Sequence, residues 1–379
     1  MLKRSFLLLG FCLLAVATVL GQANGNLQIH FMDVGQGDGA VLISPKGEVV
    51  LFDDGRQGQC PKPVAYLQSI GITKVDYHIA SHYHLDHIGC AKEVFQIAPL
   101  QKTAYDRGGS YASTPYTNYI QAVGTKRQTV TDNTVITLDA GSGNPVVIKI
   151  VAFDGNGIVT TNENDLSVVA VVSFDGFKAE IGGDLSGEKT GDYENIETSV
   201  APKVGQVDVY KVHHHCSAYS TNTDWVNTVQ PRIGIISVGV QADGNTYRHP
   251  SDDCLERLHN AGVKLYWTEK GEGQAPDPAT DVVAGTVVIQ VAPNAANYTV
   301  SYGTQTDTYA VWTPLPGATT TTTGGGTTPT PTTRQYAWSK KSNVYHYAEC
   351  KVVKSIKPEN LEKGTTPPAG KTLHQLCPQ

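Results

Sequence analysis

Four side chains of metal-binding type occur within six residues of this chain, and they constrain its fold more than any other feature. The segment 81–89 reads Ser-His-Tyr-His-Leu-Asp-His-Ile-Gly and follows a mostly apolar run. Its four candidate ligands are His82, His84, Asp86 and His87. At the end of a buried strand, such groups would repel each other or stay unsatisfied without a cation. His82 and His84 alternate to one side of an extended turn and can share one metal, while Asp86 and His87 turn towards a second. Imidazole and carboxylate ligands favour zinc, with manganese and iron as alternatives.

The N-terminal segment has the pattern of a secretory signal peptide. A basic start at residues 1–4 precedes an almost wholly apolar stretch, 6–20, and small residues up to Ala23. We therefore expect residues 1–23 to be removed and the mature protein to be secreted or periplasmic, with an uncleaved anchor as the alternative. No other segment is long and apolar enough to meet a membrane, which excludes a multi-pass membrane protein.

The rest of the chain divides by composition into a large domain, a linker and a small module. Residues 24–316 alternate strand and helix patterns, which predicts a layered α/β domain. The predicted strands are 27–32, 39–43, 49–52, 168–173, 177–181 and 232–238, and the predicted helices are 61–70 and 251–258. Residues 317–333 are a Thr/Gly/Pro tract that cannot bury a core and is expected to be a linker. Residues 334–379 form the small C-terminal module.

Charge is divided unequally between these parts. Residues 24–333 carry 19 basic and 32 acidic side chains, a net charge of −13, whereas residues 334–379 carry 8 basic and 3 acidic ones, a net charge of +5. This excludes a chain that coats nucleic acid along its whole length. If any part binds a polyanion by charge alone, it is the C-terminal module.

The HxHxDH pattern and two acidic motifs resemble the metallo-β-lactamase superfamily. Leu-Phe-Asp-Asp-Gly at 51–55 and Gly-Gly-Asp at 182–184 match acidic motifs of that superfamily. The resemblance implies an αββα sandwich with a dinuclear metal site. It also implies that Asp53 orients a metal-bound water or a ligand histidine, and that Asp184 bridges the two metals.

The chain departs from the usual superfamily pattern because no histidine lies between His87 and His213. This excludes the ordinary β-lactamase and glyoxalase II patterns. Five motifs in order, at 31–39, 164–169, 183–186, 211–217 and 247–250, resemble instead the hydrolase domain of the DNA-uptake competence proteins, the ComEC family. They are also similar to the phosphorylcholine esterases. The resemblance covers about residues 27–270.

The narrower resemblance implies two ligand sets. One metal would be held by His82, His84, His214 and Asp184, and the other by Asp86, His87, Asp184 and His249. Which histidine of the run 213–215 binds metal stays open. We favour His214, which makes His215 a candidate proton donor to the leaving group. For His249, the alternative is a surface histidine before a helix.

Six cysteines remain after the signal peptide, which suggests disulfides in an exported chain. Cys60 and Cys90 each lie just beyond a loop of the expected site, and Cys216 and Cys254 flank the two later histidine loops. We expect a bond within each pair, which would stiffen these loops from outside.

The C-terminal module has four further candidate ligands, His346, Cys350, His374 and Cys377. Two close pairs of this kind suit a structural zinc, and a Cys350–Cys377 disulfide is the equal alternative. Motifs at 341–346 and 353–360 resemble the Ada-type metal-binding module, although His374 replaces a cysteine. Basic residues interleaved with aromatic ones suit nucleic acid or another polyanion, and a solvated basic surface is the alternative.

Together these features predict a secreted, metal-dependent hydrolase. A hydroxide between two metals would attack phosphorus or an acyl carbon. We expect phosphodiester bonds of extracellular DNA or RNA to be the substrate, although the acidic domain opposes a polyanion unless its site is locally positive. One alternative is an ester or lactone hydrolase acting on a small substrate. The other is a non-catalytic nucleic-acid- or wall-binding protein.

Overall fold

The computed structural model describes most of the chain between residues 23 and 373. The described ranges are 23–240, 247–312, 336–342, 344–347, 353, 356–364, 368 and 371–373. Nearly all of the predicted signal peptide lies outside them. The chain divides into two compact units, Met1–Gly326 and Thr327–Gln379. No helix among the described residues is long and apolar enough to cross a membrane.

The first unit is built from two sheets and the helices between their strands. Its strands are β1 (Leu27–Phe31), β2 (Gly39–Ile43), β3 (Val49–Asp54), β4 (Val75–Ile79), β5 (Leu100–Asp106), β6 (Arg127–Thr129), β7 (Val135–Leu138), β8 (Val146–Ala152), β9 (Val169–Phe174), β10 (Phe177–Gly182), β11 (Val209–Lys211), β12 (Ile233–Ile236), β13 (Lys264–Trp267), β14 (Asp281–Val283), β15 (Val287–Val291), β16 (Asn297–Tyr302) and β17 (Gln305–Ala310). Its helices are α1 (Pro61–Ser69), α2 (Ala91–Ile97), α3 (Thr114–Val123), α4 (Glu197–Val204), α5 (Thr223–Val229) and α6 (Asp252–Asn260). Short 3₁₀ turns include Asn164–Leu166 and His213–Cys216.

Each sheet combines antiparallel and parallel pairs. The first has the order β17-β16-β15-β1-β2-β3-β4-β5-β6, and the second has the order β14-β13-β12-β11-β10-β9-β8-β7. Strands β3 to β6 run parallel to one another, as do β10 to β14. Carboxyl ends of parallel strands therefore collect at one edge of each sheet, where α/β proteins commonly build their sites.

Three apolar clusters show that the sheets pack face to face with helices outside them. In β2, Ala40 and Leu42 face the cluster between the sheets, whereas Val41 and Ile43 face the cluster that includes residues of α1, α2 and α3. The second sheet packs its outer face on α4, α5 and α6 in the same way. Alternate residues of one strand thus pack into two different apolar clusters, one on each face of the sheet. The predicted αββα sandwich is confirmed.

The elements predicted from the sequence are present, with small differences at their ends. Ser251 caps α6 by accepting a hydrogen bond from the Cys254 backbone N–H at 3.4 Å. Strands β9 and β10 form the predicted hairpin. The strand predicted at 232–238 ends at Ile236, because the Val238 N–H turns to the Thr268 hydroxyl at 2.9 Å instead of continuing the ladder.

Both predicted disulfides are confirmed. Cys60 and Cys90 are bonded with a Cα–Cα distance of 5.2 Å, and they precede α1 and α2 respectively. Cys216 and Cys254 are bonded with a Cα–Cα distance of 5.5 Å. The second bond joins the turn that carries three histidines to the first turn of α6.

The second unit contains a four-stranded sheet within its described residues. Its strands are β18 (Tyr336–Ser339), β19 (Val344–Tyr347), β20 (Leu361–Gly364) and β21 (Thr372–Leu373), in the order β20-β18-β19-β21. His346 lies in β19, but its side chain is not described. Cys350, His374 and Cys377 lie outside the described residues. The zinc site and its disulfide alternative therefore stay predictions.

The Cys216–Cys254 bond should contribute measurably to stability. We expect the double variant Cys216→Ser/Cys254→Ser to lose about 3–4 kcal/mol of unfolding free energy, since the bond closes a loop of 38 residues. Urea titration followed by the fluorescence of the buried Trp225 and Trp267, with EDTA present to remove any metal contribution, measures the loss. Added reductant should destabilise the wild type by more than it destabilises the variant. An unchanged midpoint would contradict the prediction.

Candidate metal centre

The expected site residues come together at one edge of the sandwich. Asp53 lies in β3, the segment 81–90 follows β4, and Asp184 follows β10. The turn His213–Cys216 follows β11 after one residue, and His249 precedes α6. Four of these five segments therefore lie at or just after the carboxyl ends of strands in two different sheets.

The Asp184 carboxylate is the point on which the imidazoles converge. Its Oδ2 lies 3.2 Å from His87 Nε2 and 3.5 Å from His215 Nε2. The same oxygen lies 3.8 Å from His214 Nε2 and 4.0 Å from His82 Nε2. One carboxylate oxygen among four ring nitrogens is an arrangement that can bind divalent metal.

The ligand atoms form two overlapping groups. His82 Nε2 and His84 Nδ1 lie 3.0 Å apart, so both can reach one cation together with Asp184. On the other side, Asp86 Oδ2 lies 3.5 Å from His215 Nε2. Asp86, His87 and His215 each offer one ligand atom within 4.8 Å of the others, and so do His82, His87 and Asp184.

Asp53 orients candidate ligands through hydrogen bonds. Its Oδ2 accepts a hydrogen bond from His87 Nδ1 at 2.8 Å and another from the Ser81 hydroxyl at 2.7 Å. Ser81 Oγ in turn lies 3.1 Å from His82 Nδ1. A hydrogen bond at Nδ1 leaves Nε2 free to bind metal, so one buried carboxylate fixes the tautomer of His87 and, through Ser81, that of His82.

The three consecutive histidines have three different environments. Both ring nitrogens of His213 are engaged, Nδ1 with Glu197 Oε1 at 2.8 Å and Nε2 with Glu180 Oε1 at 3.1 Å. His213 therefore has no nitrogen left for a metal. His215 donates from Nδ1 to the Ser237 carbonyl at 2.7 Å and directs Nε2 at the carboxylates. His214 Nδ1 is buried without a hydrogen-bond partner, and its Nε2 lies 3.5 Å from Asn164 Nδ2.

His249 lies beside these histidines but outside the two ligand groups. Its ring centroid is 5.4 Å from that of His214 and 6.0 Å from that of His215. The sequence assigned His249 to the second metal and His215 to proton transfer. The distances instead bring His215 next to Asp86, because the left-handed turn at residues 214–216 aims its ring inward.

Lys211, to which the sequence analysis gave no role, lies beside Asp38 and Asp184. Its buried ammonium forms an ion pair with Asp38, donates to the Gly183 carbonyl at 3.2 Å and lies 3.9 Å from Asp184 Oδ1. Lys211 opens the motif 211–217, which is the only signal of it in the sequence. Asp33, the other acid of the 31–39 motif, pairs with Lys62 at 2.9 Å and belongs to none of the candidate ligand groups among the described residues.

The electrostatics of the centre suit divalent cations. Burial would lower the pKa of His87, yet Asp184, Asp38 and Asp53 raise it well above its usual value. Burial would also lower the pKa of His215, but Asp184 and Asp38 raise it to about 10. Burial would raise the pKa of Asp184, but the surrounding imidazoles hold it well below its usual value.

Unpaired polar atoms support the same conclusion. Asp184 Oδ1, His87 Nε2 and His215 Nε2 are buried without a hydrogen-bond partner. Buried polar groups are normally satisfied, and nitrogen and oxygen atoms of this kind that face common points are the ligand atoms that divalent cations use. The residues present therefore fit divalent metal ions.

Comparisons with known proteins agree with this chemistry. Residues 39–240 match the profile of the metallo-beta-lactamase superfamily. ComE operon protein 3 of Bacillus subtilis is 25% identical over 263 residues, which cover 64% of this chain and 32% of that protein. The chain thus spans about a third of the length of this relative.

Solved structures give weaker likenesses. The metallo-beta-lactamase fold protein YhfI from Bacillus subtilis is 13% identical with a TM-score of 0.40, covering 66% of this chain and 99% of that one. A metallo-beta-lactamase from Cronobacter sakazakii is 14% identical with a TM-score of 0.34, covering 48% of this chain and 75% of that one.

The different environments of His213 and His215 predict opposite effects on metal content. We expect His215→Ala to lower bound metal from about two ions to about one per chain, since it removes a free ligand nitrogen. We expect His213→Gln to keep the metal and to lose about 1–3 kcal/mol of stability through weakened hydrogen bonds to Glu180 and Glu197.

Mass-spectrometric metal analysis after gel filtration, together with urea titration, measures both variants. Equal metal loss in the two variants, or full metal content in His215→Ala, would overturn the distinction.

Proposed function

Because the chain belongs to the metallo-beta-lactamase superfamily, a superfamily of metal-dependent hydrolases, we propose that it is a secreted phosphodiesterase or nuclease with two divalent cations. The observation that carries this proposal is the convergence of four imidazole Nε2 atoms on Asp184 Oδ2, at 3.2–4.0 Å. A single cation cannot use all of these ligands together with His84 and Asp86 at tetrahedral coordination.

We assign the ligands as two sets that share Asp184. His82, His84 and His214 would hold one cation, and Asp86, His87 and His215 would hold the other. Zinc suits this mixture of imidazole and carboxylate, with manganese and iron as alternatives. His249 would lie beside these ligands, and burial and the neighbouring histidines lower its pKa to about 3. Its neutral ring can donate a hydrogen bond to the leaving group.

The residues around the ligands hold them ready for catalysis. Bound divalent cations lower the pKa of water towards neutrality and offset charge on the oxygens of a phosphodiester. Asp53 and Ser81 keep the ring nitrogens of His82 and His87 in the right tautomers. Lys211, buried beside Asp38, balances part of the negative charge of the centre.

The choice of phosphodiesters rests on two arguments. The motifs resemble the DNA-uptake competence proteins, and the curated relative is named for the ComE operon. The second argument is that the C-terminal module has a net charge of +5, which favours binding of a polyanion.

The net charge of −13 on residues 24–333 favours a second candidate, an ester or lactone hydrolase that acts on a small neutral substrate. A third, non-catalytic binding of nucleic acid or cell wall, predicts no turnover with any metal.

Hydrolysis of a reporter tests the proposal directly. We expect the zinc- or manganese-loaded protein to hydrolyse bis(p-nitrophenyl) phosphate, EDTA to abolish the activity and added metal to restore it. Asp184→Asn should lower kcat by at least about 100-fold, because it removes charge shared by both cations. Asp33→Asn is the matched control, since that half-buried acid pairs with Lys62 and is not among the candidate ligands.

Hydrolysis of lactones without hydrolysis of the diester would favour the second candidate. Turnover of neither substrate class with any metal would favour the third.

The C-terminal module should contribute affinity without contributing chemistry. We expect a chain that ends at residue 316 to bind duplex DNA at least about 10-fold more weakly than the full chain at low salt, because eight basic side chains are lost. The affinity of the shorter chain should also depend less steeply on salt. Its rate on the small reporter should match that of the full chain. Equal DNA affinity in both chains would show that the module is only a solvated basic surface.

A further inference from the structure

Four tyrosines from four separate loops surround the candidate metal centre. These residues, which we call the tyrosine rim, are Tyr111, Tyr193, Tyr219 and Tyr247. Tyr111 follows β5, Tyr193 precedes α4, Tyr219 follows the histidine turn and Tyr247 lies two residues before His249. Residues far apart in sequence therefore bring the same flat side chain to one place.

Each tyrosine of the rim contacts a histidine of the centre or another member of the rim. The Tyr111 ring centroid lies 5.8 Å from that of His84, and the Tyr193 centroid lies 6.0 Å from that of His214. Tyr219 lies 5.4 Å from Tyr193. Tyr247 is stacked on His249 at 6.0 Å with an interplanar angle of 12°.

Two members of the rim are exposed and the other two are partly exposed. Tyr219 is 42% exposed and Tyr247 is 63% exposed, and Leu85 of the HxHxDH segment is 38% exposed. Exposed apolar surface beside a polar site is a common feature of binding sites. Here the exposed group lies on the loops that carry the candidate ligands.

The basic side chains near the centre are mostly occupied by carboxylates. Arg107 is buried and donates to both Glu163 oxygens at 2.8 and 2.6 Å. Lys211 is buried against Asp38, and Lys189 pairs with Glu194 at 2.9 Å. Arg248, the residue before His249, is exposed.

We propose that the tyrosine rim stacks the unpaired bases of a single-stranded nucleic acid on either side of the bond to be cleaved, an inference that rests on the proposed phosphodiesterase function. Base–tyrosine stacking needs no cation, so it suits a region of net charge −13 in which Arg107, Lys189 and Lys211 are paired with carboxylates. In a duplex the bases are already stacked on each other and cannot reach the rim. Every base has a flat face, so the site should show little sequence preference.

The test compares strands that differ only in their bases. The substrates are a short single-stranded oligonucleotide, the same strand with abasic positions flanking the central phosphate, and the corresponding duplex. The proteins are the full-length, metal-loaded wild type, Tyr219→Ala, Tyr247→Ala and the two corresponding Tyr→Phe variants. Tyr302→Ala is the matched control, since that tyrosine lies in β16 and donates to Asp307 at 3.2 Å.

We expect the wild type to prefer the normal strand over the abasic strand in kcat/KM by about 5- to 150-fold for each base that stacks. Each Tyr→Ala variant should shrink this preference, whereas the Tyr→Phe variants and Tyr302→Ala should retain it. Fluorescence anisotropy with labelled strands measures the same preference as binding, independently of cleavage.

Three outcomes would overturn the proposal: equal cleavage and binding of normal and abasic strands, preference for the duplex, or an unchanged preference in the Tyr→Ala variants. A wild type that cleaves no strand but binds normal strands through the rim would instead contradict the phosphodiesterase function alone. Preference for a small aromatic ester over every strand would assign the rim to a different substrate.

Discussion

The buried negative charge centred on Asp184 is the constraint on which the rest of the site depends. Asp38 and Asp184 are buried and Asp86 is partly exposed, and all three lie close to the imidazoles of His87 and His215. Isolated carboxylates are costly there, so the fold must supply positive charge. Lys211 supplies one charge from below, and divalent cations held by the imidazoles would supply the remainder. The ligand geometry and the metal requirement are thus two aspects of one electrostatic balance.

The turn His213–Cys216 has an unfavourable backbone conformation that contacts at both of its ends stabilise. His214, His215 and Cys216 have φ of 49°, 53° and 63°, a left-handed region that costs side-chain-bearing residues free energy. The turn is held at one end by the two carboxylates on His213 and at the other by the Cys216–Cys254 bond. Removing either anchor should therefore allow the ligand nitrogens to drift.

The fold could be predicted from local patterns, whereas the hydrogen-bond partners of the three consecutive histidines could not. Strand alternation, the Ser251 cap and the HxHxDH spacing are encoded in neighbouring residues, and the structure contains the predicted elements. The role of His215 depends on the Ser237 carbonyl, and that of His213 on Glu180 and Glu197. These partners are 16 to 33 residues distant in sequence. Spacing alone therefore cannot tell a ligand from a buried, hydrogen-bonded neighbour.

The unequal charge of the two parts of the chain is compatible with a nucleic-acid substrate if one part binds the polyanion and the other part carries out the chemistry. A region of net charge −13 does not attract a polyanion by charge, but a module of net charge +5 in the same chain can add affinity for strands. Once a strand is near, metal–phosphate contact and base stacking act over short range and tolerate the surrounding acids. An acidic catalytic surface would also release the cleaved, charged product readily. The arrangement then favours repeated short encounters over tight, processive binding.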